Sequence, residues 1–162
     1  MYNLPYTNKQ INIPYLLKIG NGKICKIGKY LKDKNLPGVA LFLGDGTEEL
    51  VGAELRRGFG DNGINVVHSQ VVSDISIESI TQTAFQLPPA TDVVVGIGGG
   101  KALDFAKYSA HLLRLPFVSV PTSTSNDGFC SPTSSLTVGG RRKTVKSSIP
   151  FGVVIDLDII RN

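Results

Sequence analysis

Val93-Val94-Val95-Gly96-Ile97-Gly98-Gly99-Gly100-Lys101-Ala102-Leu103-Asp104-Phe105-Ala106-Lys107 runs from β-branched residues through three consecutive glycines into a stretch of helical character. An apolar run without alternation reads as a strand buried on both faces, and Lys101 to Arg114 reads as the helix after it. The same order occurs twice upstream. Val39-Ala40-Leu41-Phe42-Leu43, closed by Gly44-Asp45-Gly46, precedes a helix-like stretch from Thr47 to Phe59, and Ile64-Asn65-Val66-Val67 precedes another from Asp74 to Phe85. Phe117-Val118-Ser119-Val120 and Val153-Val154-Ile155 supply two further strands.

Buried strands that alternate with helices need crossover connections, which makes the sheet mainly parallel. The expected class is α/β, an open Rossmann-like sheet flanked by helices. Residues 12–34 add an outer strand and a helix around the turn Gly20-Asn21-Gly22. Leu136-Thr137-Val138, Gly139-Gly140 and the basic segment through Val145 read as a β-hairpin near the C-terminus. A length of 162 residues suits one domain, and neither repeats nor a linker divide it.

At 41% hydrophobic and 19% charged residues the composition excludes disorder as a class. No apolar run nears the roughly 20 residues that cross a bilayer, and Met1-Tyr2-Asn3-Leu4-Pro5 lacks the layout of a signal peptide, so the chain is expected in the cytoplasm without a membrane partner. Cys25 and Cys130 form no metal or disulfide pattern and read as reduced, packed thiols. The net charge of +4 is concentrated in residues 1–34 and in Arg141, Arg142, Lys143 and Lys146. Without interleaved aromatics these read as solvated faces rather than a nucleic-acid surface.

The glycine turn is the place for a ligand. Residues without Cβ let a phosphate approach the main chain, and a helix start offers unpaired N–H groups with partial positive charge, to which Lys101 adds a full one. The plainer alternative is a tight strand-to-helix turn. Neither the P-loop pattern nor the ordinary Rossmann fingerprint is met, because the strand after the glycines ends at Pro121-Thr122 where that fingerprint has an acid. Asp45, at the tip of an earlier strand, is a candidate ribose-binding carboxylate, or a helix cap ahead of Thr47-Glu48-Glu49. The hydroxyl-rich loop from Pro121 to Pro132 could bind phosphate or ribose, and Asp127 a polyol hydroxyl or a metal; Asx and Ser turns are the plain reading. Asp156 and Asp158 close the last strand, as hard ligands for a divalent cation can. His68 and His111 are assigned no chemistry.

Gly96-x-Gly98-Gly99-Gly100-Lys101-x-x-Asp104-x-x-Lys107, Val120-Pro121-Thr122-Ser123, Ser125-Asn126-Asp127-Gly128 and Val154-Ile155-Asp156 together resemble the iron-containing alcohol dehydrogenase and dehydroquinate synthase-like superfamily, most closely its sn-glycerol-1-phosphate and glycerol dehydrogenase members. The likeness runs from about residue 12 to the end. It implies that Gly98, Gly99, Gly100, Lys101 and Asp104 surround the pyrophosphate and nearby ribose of NAD or NADP. Thr122, Ser125 and Ser131 would also touch cofactor, Asp45 would hold the adenosine ribose, and Asp127 would contact substrate. Asp156 is implied as the first of three ligands to a divalent metal (Zn, Fe or Ni), the others being histidines of a helical C-terminal domain. That domain is absent, so residues 1–162 are expected to be the N-terminal dinucleotide-binding domain of a two-domain enzyme, inactive alone. The Ser125 to Pro132 loop resembles the glycerol-1-phosphate enzymes, implying a homo-oligomeric parent that interconverts dihydroxyacetone phosphate and sn-glycerol 1-phosphate. A free polyol substrate, or a nucleotide-binding module without catalysis, are the alternatives.

Overall fold

A computed structural model describes residues 13–125 and 128–161 of the chain. Asn126, Asp127 and the first five residues, on which readings were made above, lie outside them.

Six parallel strands form one sheet in the order β1-β8-β5-β4-β2-β3: β1 Leu16–Gly20, β2 Gly38–Leu43, β3 Asn65–Val71, β4 Val93–Gly98, β5 Phe117–Pro121 and β8 Gly152–Asp156. β2, β4 and β5 are buried throughout, as their unbroken apolar runs require. β3 is an edge strand, largely open to solvent, and continues four residues past the expected Val67, its second half, His68-Ser69-Gln70-Val71, pairing in register with Ala40 to Leu43 of β2. β1 is the other edge. Its Leu17 and Ile19 are 57% and 55% exposed, on the face that no helix of the described residues covers.

On one side of the sheet α1 (Ile27–Lys32, after a 3-10 turn at Ile24–Lys26) and α2 (Thr47–Gly60) bury Ile27, Leu31, Val51, Leu55 and Phe59 against Leu41, Val95, Val118 and Val154. On the other, α3 (Ile77–Gln86) and α4 (Gly100–Leu113) bury Ile80, Leu103, Phe105 and Ala106 against Phe42, Val94 and Phe117. α3 starts later than Asp74 because Ser76 caps it, its hydroxyl accepting from the Ser79 amide. The hairpin is β6 (Thr133–Val138) with β7 (Arg141–Lys146), turning on Gly139 and Gly140 at φ 57° and 74°. Left-handed φ at both central residues is what a two-residue turn matched to strand twist demands. Leu136 anchors the hairpin in the α3/α4 core and its basic strand β7 lies outside. A short α5 (Leu157–Ile160) follows β8.

The order β3-β2-β4-β5-β8 fixes where a ligand can sit. From β2 the chain moves outward to β3, then returns past β2 to β4 and proceeds the opposite way. The loops leaving β2 and β4 therefore diverge, opening a crevice at the carboxyl ends of these two strands.

Candidate functional site

That crevice is lined by Gly44, Asp45 and Thr47 from the β2 loop, Val71 to Ser73 from the end of β3, Gly99 to Ala102 from the start of α4, and Thr122 from the β5 loop, with a cavity of about 510 Å³. Its floor is main chain. The Gly44 amide donates to the Ile97 carbonyl at 2.8 Å and the Thr122 amide to the Gly98 carbonyl at 3.1 Å, so three strand ends are tied together. Gly98 has φ +143°, and a Cβ there would stand 2.9 Å from the Gly44 nitrogen. Gly99 begins α4 in extended conformation with no side-chain cap, and a Cβ on it would meet nothing within 4 Å. The first amides of α4 have no intrahelical acceptor and open on this space, beside the exposed Lys101.

Of the residues singled out in the sequence, Asp45, Gly99, Gly100, Lys101 and Thr122 share the crevice and Gly98 forms its floor. The helix-cap alternative for Asp45 fails: Gly46, at φ 69° and ψ 0°, occupies the cap position of α2, and Asp45 is left exposed on the wall. Ser125 is exposed on the β5 loop with its hydroxyl 3.1 Å from that of Ser123. Ser73 and Thr47 were missed. The signal was available, since parallel neighbours end at the same side of a sheet, but the reading stopped β3 at Val67.

Three further candidates, Asp104, Ser131 and Asp156, lie outside the crevice lining and make contacts within the fold. Asp104, expected at the pyrophosphate, lies one turn beyond Gly100 and is 7% exposed; it accepts from the Ser135 amide at 3.1 Å and pairs with Lys107 at 3.4 Å, facing the hairpin. Burial pushes its carboxyl above the ordinary value, and the Lys107 ammonium and Ser135 N–H partly oppose this. Ser131 faces the same way, accepting from Lys107 at 3.4 Å and donating to the Thr133 carbonyl at 3.1 Å. Asp156, expected as a metal ligand, is 1% exposed, and its two oxygens each accept a backbone N–H, from Ile24 at 2.8 Å and Asp158 at 3.0 Å. It caps α5 and ties down the β1 turn. Asp158 assists, accepting from Gly22 at 3.0 Å and from Asn21. Among the described residues no group of three His, Cys, Asp or Glu could hold a metal ion; the ligand set implied by the resemblance draws only Asp156 from them.

The fold and crevice define an open, doubly wound α/β domain with an anion-receptive glycine turn at its switch point. The family model for iron-containing alcohol dehydrogenases matches residues 18–162, and the chain belongs to this family. It is 34% identical over 154 residues to the glycerol-1-phosphate dehydrogenase [NAD(P)+] of Metallosphaera sedula, covering 93% of the chain and 43% of that protein. The enzyme of the same name from Methanococcoides burtonii is also 34% identical, covering 95% and 43%. The crystal structure of glycerol dehydrogenase from Schizosaccharomyces pombe superimposes with a TM-score of 0.81 at 26% identity, covering 93% of the chain and 39% of that one. The iron-containing alcohol dehydrogenase of Thermococcus thioreducens, at 16% identity and TM-score 0.80, shares the fold. The chain thus spans less than half the length of these relatives. No described helix is long and apolar enough to cross a membrane.

Proposed function

We propose that the β2/β4 crevice binds NAD or NADP and that the chain is the cofactor-binding part of a dehydrogenase interconverting dihydroxyacetone phosphate and sn-glycerol 1-phosphate. One observation carries the reading: an uncapped helix start flanked by Gly99 and Lys101 lies across the crevice from an exposed Asp45. The residues fit the group. Gly98 to Gly100 leave main-chain amides bare for a pyrophosphate, Lys101 neutralises it, and Asp45 accepts from the two hydroxyls of an adenosine ribose. Thr122, at the far side, offers a hydroxyl toward the nicotinamide half. When bound, the cofactor supplies or takes up the hydride.

The carboxylate of Asp45 repels a 2′-phosphate. The basic hairpin does not oppose it, since none of Arg141 to Lys146 lines the crevice. NAD is the favoured cofactor. The substrate assignment rests on the glycerol-1-phosphate dehydrogenases at 34% identity; the likeness to a glycerol dehydrogenase supports a free polyol as the second reading. Asp127 is the proposed substrate contact, and Ser125 a polar neighbour of the cofactor. Asp156 is the one ligand this chain would supply to the metal named by the family, and no step is assigned to it. The reading carries with it a cytoplasmic, homo-oligomeric parent acting on a small molecule.

Titration with NADH, followed by its fluorescence, tests the proposal. Saturation below millimolar cofactor is expected, and its absence defeats it. Asp45→Ala should weaken NAD more than NADP; equal losses contradict the ribose contact.

A further inference from the structure

Lys107 is the one lysine among the described residues with no exposed surface, 0% against solvent, and it lies two turns along the helix whose start forms the crevice. Its ammonium donates to the Gly128 carbonyl at 2.7 Å, the Ser131 carbonyl at 3.3 Å and the Ser131 hydroxyl at 3.4 Å, with the Asp104 carboxylate 3.4 Å away. Taking an ammonium out of water is costly, and an apolar side chain would fill the same space on α4 at no such cost. What the charge adds is direction. It fixes backbone carbonyls at set places, where apolar packing would tolerate sliding.

The carbonyls it fixes belong to the distal limb of the loop between β5 and β6. The proximal limb is fixed separately by the Thr122 amide on the Gly98 carbonyl. Asp104, the other half of the pair, holds the Ser135 amide at the start of the hairpin. Phe129 packs on the α3/α4 core between these points. Both ends of the loop are thereby referenced to one rigid unit, the β4-turn-α4 segment that carries the crevice. About seven residues of helix, roughly 10 Å, separate the anchor from the glycine turn.

We infer that Lys107, with Asp104, is a positioning pair that latches the loop leaving β5 onto the cofactor-binding helix, so setting the nicotinamide end of the crevice without touching the cofactor. This rests on the reading of the crevice as an NAD(P) site. The adenosine end, built from β2 and β3, shares none of these contacts. Loss of the latch therefore discriminates between the two halves of the ligand.

Two variants test this: Lys107→Met, and the double variant Asp104→Asn/Lys107→Met, which buries no charge. Amide hydrogen exchange reads the latch without any ligand. Faster exchange at residues 128–133, with β4 amides as protected as before, is expected in both; unchanged exchange there overturns the inference. NADH and ADP-ribose, which lacks only the nicotinamide, read the consequence. NADH should bind about tenfold more weakly and lose fluorescence enhancement, with ADP-ribose within about twofold of its original affinity. Equal weakening of both, or of neither, overturns the positioning role. If the double variant fails to fold, the pair is a determinant of the fold and the inference also falls. Failure of the unaltered chain to bind either ligand defeats the crevice reading instead, and the exchange result still decides the latch.

Discussion

Gly98 and Gly99 are adjacent, yet alanine at the two positions should have opposite consequences. At Gly98 the backbone has φ +143°, and a Cβ would stand 2.9 Å from the Gly44 nitrogen, 3.0 Å from Gly44 Cα and 3.2 Å from the Ala102 methyl. Gly44 cannot yield easily, because its amide is held by the Ile97 carbonyl. Backbone strain of about 1–3 kcal/mol adds to a similar overpacking cost. Gly98→Ala should then lose about 4 kcal/mol, which for a chain of this size lowers Tm by roughly 8–16 °C. At Gly99 the backbone is extended and the added methyl meets nothing. The weaker capping by alanine and the reduced freedom of the unfolded chain are of similar size and opposite sign, so Tm should move by no more than about 2 °C. If the crevice is the proposed cofactor site, the methyl nevertheless stands where its pyrophosphate approaches. Loss of one charge-assisted hydrogen bond weakens NADH by about 10- to 100-fold. Thermal melts by circular dichroism and NADH titration measure both. If Gly99→Ala binds NADH as the unaltered chain does, or Gly98→Ala melts with it, the argument from the glycine turn is wrong.

Asp156→Ala leaves the Ile24 and Asp158 amides without their buried acceptor and should cost about 3 kcal/mol, read as a Tm loss that neither Zn²⁺ nor a chelator changes in this chain; a metal-induced rise in Tm that the variant abolishes would show that Asp156 binds metal without the other ligands. Ser76→Ala removes the α3 cap and should cost about 1 kcal/mol near neutral pH. The Ser76 hydroxyl and amide also hold the exposed Asp74 carboxyl below its ordinary value, a contribution that is whole above the ordinary carboxylate range and disappears as pH falls through the lowered value. The gap in Tm between Ser76→Ala and the unaltered chain should therefore narrow in acid, and a gap independent of pH would refute the link.

The buried part of the sheet was legible because an apolar run with glycine at its end has few alternatives. Val93 to Gly98 and Val39 to Leu43 are central strands for the reason their residues suggested, and Gly139-Gly140 turns the hairpin by the backbone freedom that marked it. Edges were read less well. His68 to Val71 continues β3 although its residues are mixed, since one partner strand and one covered face suffice to hold an edge. The Asp74 to Ser76 segment, read as helix, is the cap that precedes it.

Carboxylates were the harder case, because residue type and position at a strand or helix end do not say which way an acid faces. Asp45, Asp104 and Asp156 all fall near the carboxyl end of the sheet, where ligands bind, and the sequence suggests a different ligand role for each. Asp45 follows β2 into a loop beside a diverging neighbour, so it remains in solvent on the crevice wall. Asp156 follows β8, whose neighbour β1 turns back through Ile24, and two amides in need of acceptors claim it. The family resemblance implies a cofactor role for Asp104, and the three-residue step to Lys107 puts a cation beside it on the same helix face. That step was visible in the sequence. What was not visible is that the hairpin and the returning loop would close over both residues, and this turns a pair that could have been a solvated surface contact into a buried anchor.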